Sequence, residues 1–164
     1  MSTRSHPRVV VGVDGSLHGL AALRIAAAEA ARRGVPLYAV RVRSAASVPY
    51  ALSEIDEAFV EALGGLPRNV ELHREVALPP AATALTRRAV HAEDLLVLGE
   101  SGRGAWHAFW SGSVTRGCLR KARCQVLVVP VPEMARTVWR PRRWSAARRD
   151  VWQRFDEEQP ALRG

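Results

Sequence analysis

The 164-residue sequence predicts a single α/β domain built as a doubly wound, five-stranded parallel sheet with helices on both faces. Short apolar runs alternate with segments whose apolar residues recur at helical spacing, which is typical of a parallel sheet crossed by helices. Some of those runs, such as RVVVGVD at residues 8–14, show no polar alternation, as expected for strands that are covered on both faces. Because crossover connections are right-handed, few arrangements are available, and we expect the strand order 3-2-1-4-5.

Local signals near the ends of the segments support this assignment of helices and strands. Ser16 can cap the first helix, and Gly34 is expected to end it. Pro80 suits the first residue of the third helix, because proline lacks an N–H that would go unbonded there. The alternation in VELHREV, residues 70–76, indicates a half-exposed strand. The predicted strands are 8–14, 36–42, 70–76, 94–99 and 125–130; the predicted helices lie between Ser16 and Gly34 and at 52–63, 80–90 and 113–121, with a loop at 43–49.

Three regions differ in composition. Residues 1–7 read as a flexible N-terminus, residues 8–131 as the folded domain, and residues 132–164 as a basic C-terminal extension rich in tryptophan and arginine. The net charge of +8 indicates an anionic partner without naming one. No apolar run approaches the ~20 residues that span a bilayer. The N-terminus lacks an apolar signal core, and two cysteines are too few for a disulfide framework, so we predict a cytoplasmic protein.

A glycine-rich segment, GESGRGAWHAFWSGSVT at residues 99–115, lies between the fourth strand and the last helix. Glycines let the main chain approach a ligand without an intervening Cβ. The N–H groups and the dipole at a helix start favour an anion, and the hydroxyls of Ser113 and Thr115 can donate to phosphate oxygens. Asp14 is expected across a crevice from this segment, because the first and fourth strands meet where the winding reverses. There it can accept hydrogen bonds from ribose or adenine, or hold a metal ion that bridges phosphates.

The spacing Gly99-x2-Gly102-x9-Gly112-Ser113 resembles the nucleotide motif of the universal stress protein family, in its ATP-binding branch. The segments VVVGVDGS, DLLVLG and CQVLVVP also resemble the first, fourth and fifth strands of that family. The resemblance covers residues 8 to about 131 and leaves the C-terminal extension outside. Because four motif positions stand in a strand, loop and helix context, the signal is far more specific than a bare Gly-x-x-Gly.

The resemblance implies an ATP-binding domain, dimeric in most members, that acts in stress and dormancy responses through partners. It also implies that Mg²⁺ or Mn²⁺ accompanies the nucleotide. Matched to this sequence, the phosphate-binding positions of the family are Gly99, Gly102, Gly112, Ser113, Val114 and Thr115. The adenine and ribose positions are Asp14 and Val42, with Leu98 touching the base.

Glu100 departs from the family pattern, because members usually carry a small hydroxyl residue there. A carboxylate at about 4 Å from a polyphosphate repels it by about 1 to 4 kcal/mol, depending on the local dielectric. Either the Glu100 side chain points to solvent or the affinity is reduced, and Arg103 can compensate as a further nucleotide-binding residue.

Simpler interpretations exist for the same residues. Asp14 can serve only the turn before Gly15, since aspartate favours such turns. Val42 can be a core residue rather than an adenine contact. The glycines of residues 99–112 can form a tight connection and nothing more.

Regulation, rather than steady catalysis, is the leading functional hypothesis. The sequence has no G-x-x-x-x-G-K-[ST] loop, and no residue is clearly placed to orient an attacking water. One alternative is a slow ATPase or a protein that transfers phosphate to Ser113; another is an interaction protein whose basic extension holds nucleic acid or an acidic partner. The last strand should lie at a sheet edge, where Val126 to Val131 can pair with a second copy to form a homodimer.

Overall fold

The computed structural model of the chain describes residues 6–43, 48–100 and 113–130. Five parallel strands form one sheet in the order 3-2-1-4-5, which confirms the predicted topology. The central strand pairs on both sides, since Val9 lies opposite Leu37 of the second strand and Leu95 of the fourth. The strands are β1 (Val9–Gly12), β2 (Leu37–Val42), β3 (Leu72–Ala77), β4 (Leu95–Gly99) and β5 (Gln125–Val129).

Helices cover both faces of this sheet, as predicted. The described helices are α1 (Leu17–Arg33), α2 (Val48–Leu63), α3 (Ala81–Arg88) and α4 (Ser113–Lys121). The first two pack in one hydrophobic core and the last two in another. None of the helices in these ranges combines the length and the apolar character that crossing a bilayer requires.

The first strand shows why an apolar run without alternation belongs at the centre. Val9, Val10 and Val11 are all fully buried. Val9 and Val11 lie in the core on the side of α1 and α2, whereas Val10 lies in the core on the side of α3. Neighbouring side chains of a strand point to opposite faces, so a strand that is covered on both faces needs an apolar residue at every position.

The ends of α1 agree with the sequence signals. Ser16 has extended backbone angles, and its Oγ accepts a hydrogen bond from the Gly19 amide at 3.0 Å. Gly34 ends the helix in the left-handed conformation, with φ of 64°. Both predictions are confirmed.

Two other helix starts were predicted wrongly. The second helix begins at Val48, within the segment that we expected to be a loop, so Pro49 is its second residue. Proline is tolerated in the first turn, because the N–H that it lacks would have no partner within the helix. The third helix begins at Ala81, and Pro80 is its extended N-cap residue rather than its first helical residue.

The connections place the winding reversal between β1 and β4. The path from β1 through α1 and α2 to β3 covers one face, and the path from β3 through α3 and α4 to β5 covers the other. A crevice at the carboxyl ends of β1 and β4 is therefore the expected ligand position for an open sheet of this kind.

Candidate functional site

Two chain segments leave the sheet side by side at the expected ligand position. Residues 13–16 connect β1 to α1, and Gly99 and Glu100 leave β4 on the neighbouring strand. Among the predicted nucleotide-binding residues, Gly102, Arg103 and Gly112 lie outside the described residues. The main chain of Ser113 is described and forms the first residue of α4.

Asp14 forms a tight turn at the start of α1. Its Oδ1 accepts hydrogen bonds from the Ser16 amide at 2.9 Å and from Ser16 Oγ at 2.7 Å. Gly15 has φ of 73°, which glycine adopts without strain. A Cβ on Gly19 would lie 2.1 Å from Asp14 Oδ1, so the carboxylate rests against the first turn of the helix. The turn role of Asp14 is therefore real, and Asp14 is exposed just beyond the carboxyl end of β1.

Behind this turn lies Arg41, a residue that the sequence analysis missed. Its side chain is only 7% exposed, and one guanidinium nitrogen donates to the Val13 carbonyl oxygen at 2.9 Å. Its Nε donates to Glu54 of α2 at 2.9 Å. Arg43 donates two further hydrogen bonds to Glu54, at 2.6 and 3.0 Å. The arrangement anchors the main chain just before Asp14 and places a buried positive charge near its carboxylate.

Burial and charge act against each other in this cluster. Burial lowers the pKa of the Arg41 guanidinium, and the charge of Glu54 opposes that change. Burial alone would raise the pKa of Glu54, but the hydrogen bonds and charges of Arg43 and Arg41 outweigh it and leave the pKa below its usual value. Glu54 is therefore a carboxylate at neutral pH, shared by two guanidinium groups.

Gly99 has a packing role that its place in the family motif does not suggest. A Cβ at this position would lie 2.5 Å from the carbonyl carbon of His18 and 2.9 Å from the amide nitrogen of Gly19. These are main-chain atoms of α1, which cannot move aside as a flexible side chain would. The absence of a side chain at 99 therefore lets the start of α1 lie directly against the end of β4.

Val42 and Leu98 lie in the core on the side of α3. Their exposed fractions are 8% and 4%. Both belong to the cluster that includes Val10 and Leu85. Val42 is therefore a core residue, as the simpler interpretation expected, and Leu98 is buried in the same core. The contact of either residue with a base stays a prediction.

Val114, Thr115 and Glu100 lie close in sequence to residues 101–112, which are outside the described ranges. Val114 is partly buried and packs against the core on the α3 side, and Thr115 is partly exposed. Glu100 is exposed, and its amide donates to the Val129 carbonyl oxygen at 2.9 Å. An exposed Glu100 side chain corresponds to the first of the two options considered from the sequence.

His18 is a second residue that the sequence analysis did not single out for this crevice. Its main chain lies against Gly99, and its Nε2 is buried without a hydrogen-bond partner in the structure of the described residues. An unsatisfied buried polar atom costs about 1 to 3 kcal/mol. Such atoms in native proteins are usually satisfied by a water or a ligand.

The opposite end of the sheet carries a different surface feature. An open depression of about 780 Å³ lies between α1 and residues 63–69, with Arg24 and Arg68 in its lining. Arg24 has a structural role there, because its Nε donates a hydrogen bond to the Ala62 carbonyl oxygen at 2.6 Å. Within the described ranges, no group of three or more His, Cys, Asp or Glu residues is placed to hold a metal ion.

Comparisons with known proteins agree with this architecture. The Universal stress protein family matches residues 6–130. The chain is similar to Universal stress protein Rv2623 of Mycobacterium tuberculosis, with 34% identity over 141 residues that cover 77% of this chain and 47% of that protein. It is also similar to Universal stress protein Mb2028c of Mycobacterium bovis, with 32% identity over 144 residues that cover 77% and 48%. The chain therefore spans about half the length of these relatives.

Two solved structures show the same fold. A universal stress protein crystallised in complex with cAMP is 26% identical, with a TM-score of 0.58 over 76% of this chain and 97% of that chain. A universal stress protein from Archaeoglobus fulgidus is 23% identical, with a TM-score of 0.55 over 76% and 98%. Together with the match over residues 6–130, these findings establish that the chain belongs to the universal stress protein family.

Proposed function

We propose that this protein binds ATP, or a closely related adenine nucleotide, in the crevice between β1 and β4 and acts as a nucleotide-dependent regulator. The observation that carries the proposal is the juxtaposition of the Asp14 turn with the end of β4 at the winding reversal. The glycine-rich segment leads from there to α4. A relative at 26% identity was crystallised with cAMP, which supports an adenine nucleotide as the class of ligand.

The structure around Asp14 supports its role at the ribose. Both of its described hydrogen bonds use Oδ1, and the Arg41 anchor holds the preceding carbonyl. A carboxylate held in this way can accept hydrogen bonds from ribose hydroxyls through its other oxygen. The main chain of His18 lies against Gly99, and its buried Nε2 has no hydrogen-bond partner among the described residues. A phosphate or hydroxyl of the ligand would satisfy this nitrogen.

A divalent cation fits this arrangement as a companion of the nucleotide. Mg²⁺ is usually bound through one or two carboxylates together with substrate phosphates. Asp14 would hold Mg²⁺ or Mn²⁺ in this way, and the ion would screen phosphate charge from Glu100. The predicted phosphate contacts of Gly99, Gly102, Arg103, Gly112, Ser113, Val114 and Thr115 belong to this same proposal.

The regulatory part of the proposal needs two states with different affinity for the nucleotide. Formation of a homodimer is one way in which nucleotide binding can be coupled to the binding of a partner. The edge strand β5 pairs only with β4 in the described sheet, and Leu127 on it is 37% exposed. We propose that Val126 to Val131 pair with a second copy, because an apolar strand edge invites such pairing. The proposed boundaries are a domain at residues 8–131 and an extension at residues 132–164.

Calorimetric titration with ATP and Mg²⁺ tests the proposal. Gly112→Val puts a side chain where the phosphates approach, and we expect at least about tenfold weaker binding, equivalent to about 1.4 kcal/mol. Gly65→Val is the matched control, since nothing lies within 4 Å of a Cβ at that position. Equal affinity of the wild type and Gly112→Val would remove the assignment.

A second variant separates the ligand role of Asp14 from its turn role. Asp14→Asn keeps an acceptor for the Ser16 amide, so the turn persists while the charge is lost. We expect an unchanged Tm and a severalfold loss of ATP affinity in the presence of Mg²⁺. Unchanged affinity would leave Asp14 with the turn role alone.

A further inference from the structure

The two helical layers differ sharply in charge. Helices α3 and α4 together carry five basic residues and no acidic residue. Helices α1 and α2 together carry three basic and five acidic residues. The net positive charge of the described helices therefore lies on one face of the sheet.

Four cations of these helices are exposed, and so is Arg123, which follows α4. We name these five residues the basic face: Arg87, Arg116, Arg120, Lys121 and Arg123. None of them forms an ion pair with another residue in the described part of the chain. Lys121 donates a hydrogen bond to the Thr83 hydroxyl, which is neutral. In contrast, Arg32 and Arg33 of α1 both pair with Glu29.

The geometry of the layer brings these cations into one surface. Arg116 and Arg120 are four residues apart on α4, so they share one side of the helix, about one turn of 5.4 Å apart. Arg123 follows two residues after the helix ends at Lys121. The helix lies close against α3, since a Cβ on Gly117 would come within 2.8 Å of the Ala82 methyl group. The Lys121 contact with Thr83, one turn before Arg87, continues the same surface.

We propose that the basic face binds the phosphate backbone of nucleic acid without sequence preference. An exposed stripe of unpaired arginines along a helix is the electrostatic signature of such binding. Each cation that neutralises a phosphate releases condensed counterions, which supplies the free energy of association. The proposal is independent of the nucleotide crevice, because residues 116–123 run away from the start of α4.

The composition of the face argues against two other anionic partners. A helix that lies on a membrane inserts an apolar side, but the apolar side of α4, with Val114 and Cys118, packs in the core. Leu119 is the one large apolar side chain that the described part of α4 exposes. The centre of a typical protein interface is depleted of charged residues, which does not match a surface of five cations.

Fluorescence anisotropy of the full chain with a duplex DNA of arbitrary sequence tests this, with salt varied from about 50 to 200 mM. Arg116→Gln/Arg120→Gln/Arg123→Gln should weaken binding at least about tenfold and reduce the salt slope by about 3, at about 0.9 per lost phosphate contact. Arg32→Gln/Arg33→Gln/Arg68→Gln removes the same net charge from the rest of the domain and should leave the slope unchanged. The single variant Arg120→Gln should reduce the slope by about 1.

Two further controls separate loss of DNA binding at the basic face from loss of the fold and from binding by the extension. The ATP affinity of each variant should match the wild type, and the Tm of the Arg116, Arg120 and Arg123 variant should stay close to it, since these arginines are exposed. The control variant loses the two pairs with Glu29, so its Tm should fall slightly while its DNA and ATP binding persist. Arg140→Gln/Arg142→Gln/Arg143→Gln in the extension should lower the affinity less than the α4 variant. The proposal is overturned if wild type does not bind DNA at low salt, if both domain variants lose affinity equally, or if the extension variant alone abolishes binding. Binding to phosphatidylserine vesicles without binding to DNA would also overturn it.

Discussion

Most charged side chains of α1 and α2 form ion pairs, whereas α3 and α4 leave positive charge unpaired at the surface. In the first layer, Arg41 and Arg43 share Glu54, and this cluster anchors the turn that carries Asp14. In the second layer, Gly117 and Ala82 bring the two helices together through small residues. Charge in the first layer therefore holds the turn that carries Asp14, whereas charge in the second layer is available for contact with a partner.

The largest expected difference concerns removal of a cation from each layer. Arg41→Met leaves the Val13 carbonyl without its donor and Glu54 with one guanidinium fewer, so we expect a loss of about 3 kcal/mol in the free energy of unfolding. Arg120→Met removes an exposed cation of the basic face and should change stability by less than about 0.5 kcal/mol. Denaturant unfolding measures the free energy of unfolding of both variants. Equal losses would contradict the difference proposed between the two layers.

A second pair of variants compares the close approaches in the two layers. Gly99→Ala forces a Cβ against main-chain atoms of His18 and Gly19, and we expect a loss of about 2 kcal/mol. Gly117→Ala meets only the Ala82 methyl group and gains about 1 kcal/mol of helix propensity, so its net loss should be smaller. Gly65→Ala is the control, with nothing within 4 Å of the new Cβ. If Gly117→Ala proved the more destabilising of the two, main-chain contact would not be the deciding factor.

The pH dependence of stability offers a third test of the Arg41 and Glu54 cluster. The pKa of Glu54 is lowered in the folded state because the hydrogen bonds and charges of Arg43 and Arg41 outweigh the effect of burial. Its contribution is therefore fully present above the unfolded-state value of about 4.3 and is lost as pH falls through the lower folded-state pKa. The difference in unfolding free energy between wild type and Glu54→Gln should shrink as pH falls below about 4.3. A difference that stays constant from neutral to acid pH would contradict this.

The smallest expected effect has opposite signs in the two layers. Arg116 and Arg120 are like charges four residues apart, so Arg116→Glu replaces repulsion with attraction and should stabilise by about 0.5 kcal/mol. Arg32→Glu breaks the pair with Glu29 on α1 and should destabilise by about the same amount. Both effects should diminish with added salt. Thermal unfolding at low salt measures the two changes in stability. If the layers did not differ, both variants would shift the Tm in the same direction.

The sequence predicted the sheet better than the site, and particular residues show why. The apolar run of β1, the cap at Ser16 and the stop at Gly34 are local signals, and each was confirmed. The start of α2 was missed because Pro49 reads as a breaker, although proline is tolerated in a first turn.

Arg41 was missed for a different reason. It stands in the apolar run LYAVRV, and that lone arginine was the available signal. Its partners, Glu54 on α2 and the Val13 carbonyl, come together only through the packing of α2 and β1 around β2. The packing contact of Gly99 with the start of α1 likewise depends on tertiary structure, so the motif alone did not reveal it.

The central claim, a nucleotide crevice between β1 and β4, is tested most directly by NMR of the ¹⁵N-labelled protein during titration with ATP and Mg²⁺. We predict that the amide signals of Gly15, Gly99 and Ser113 shift in proportion to bound nucleotide, while those of Gly34, Gly64 and Gly65 at the other end of the sheet stay in place. The claim would be contradicted if no signal moved at millimolar ATP, or if the shifts clustered around Gly64 and Gly65 instead.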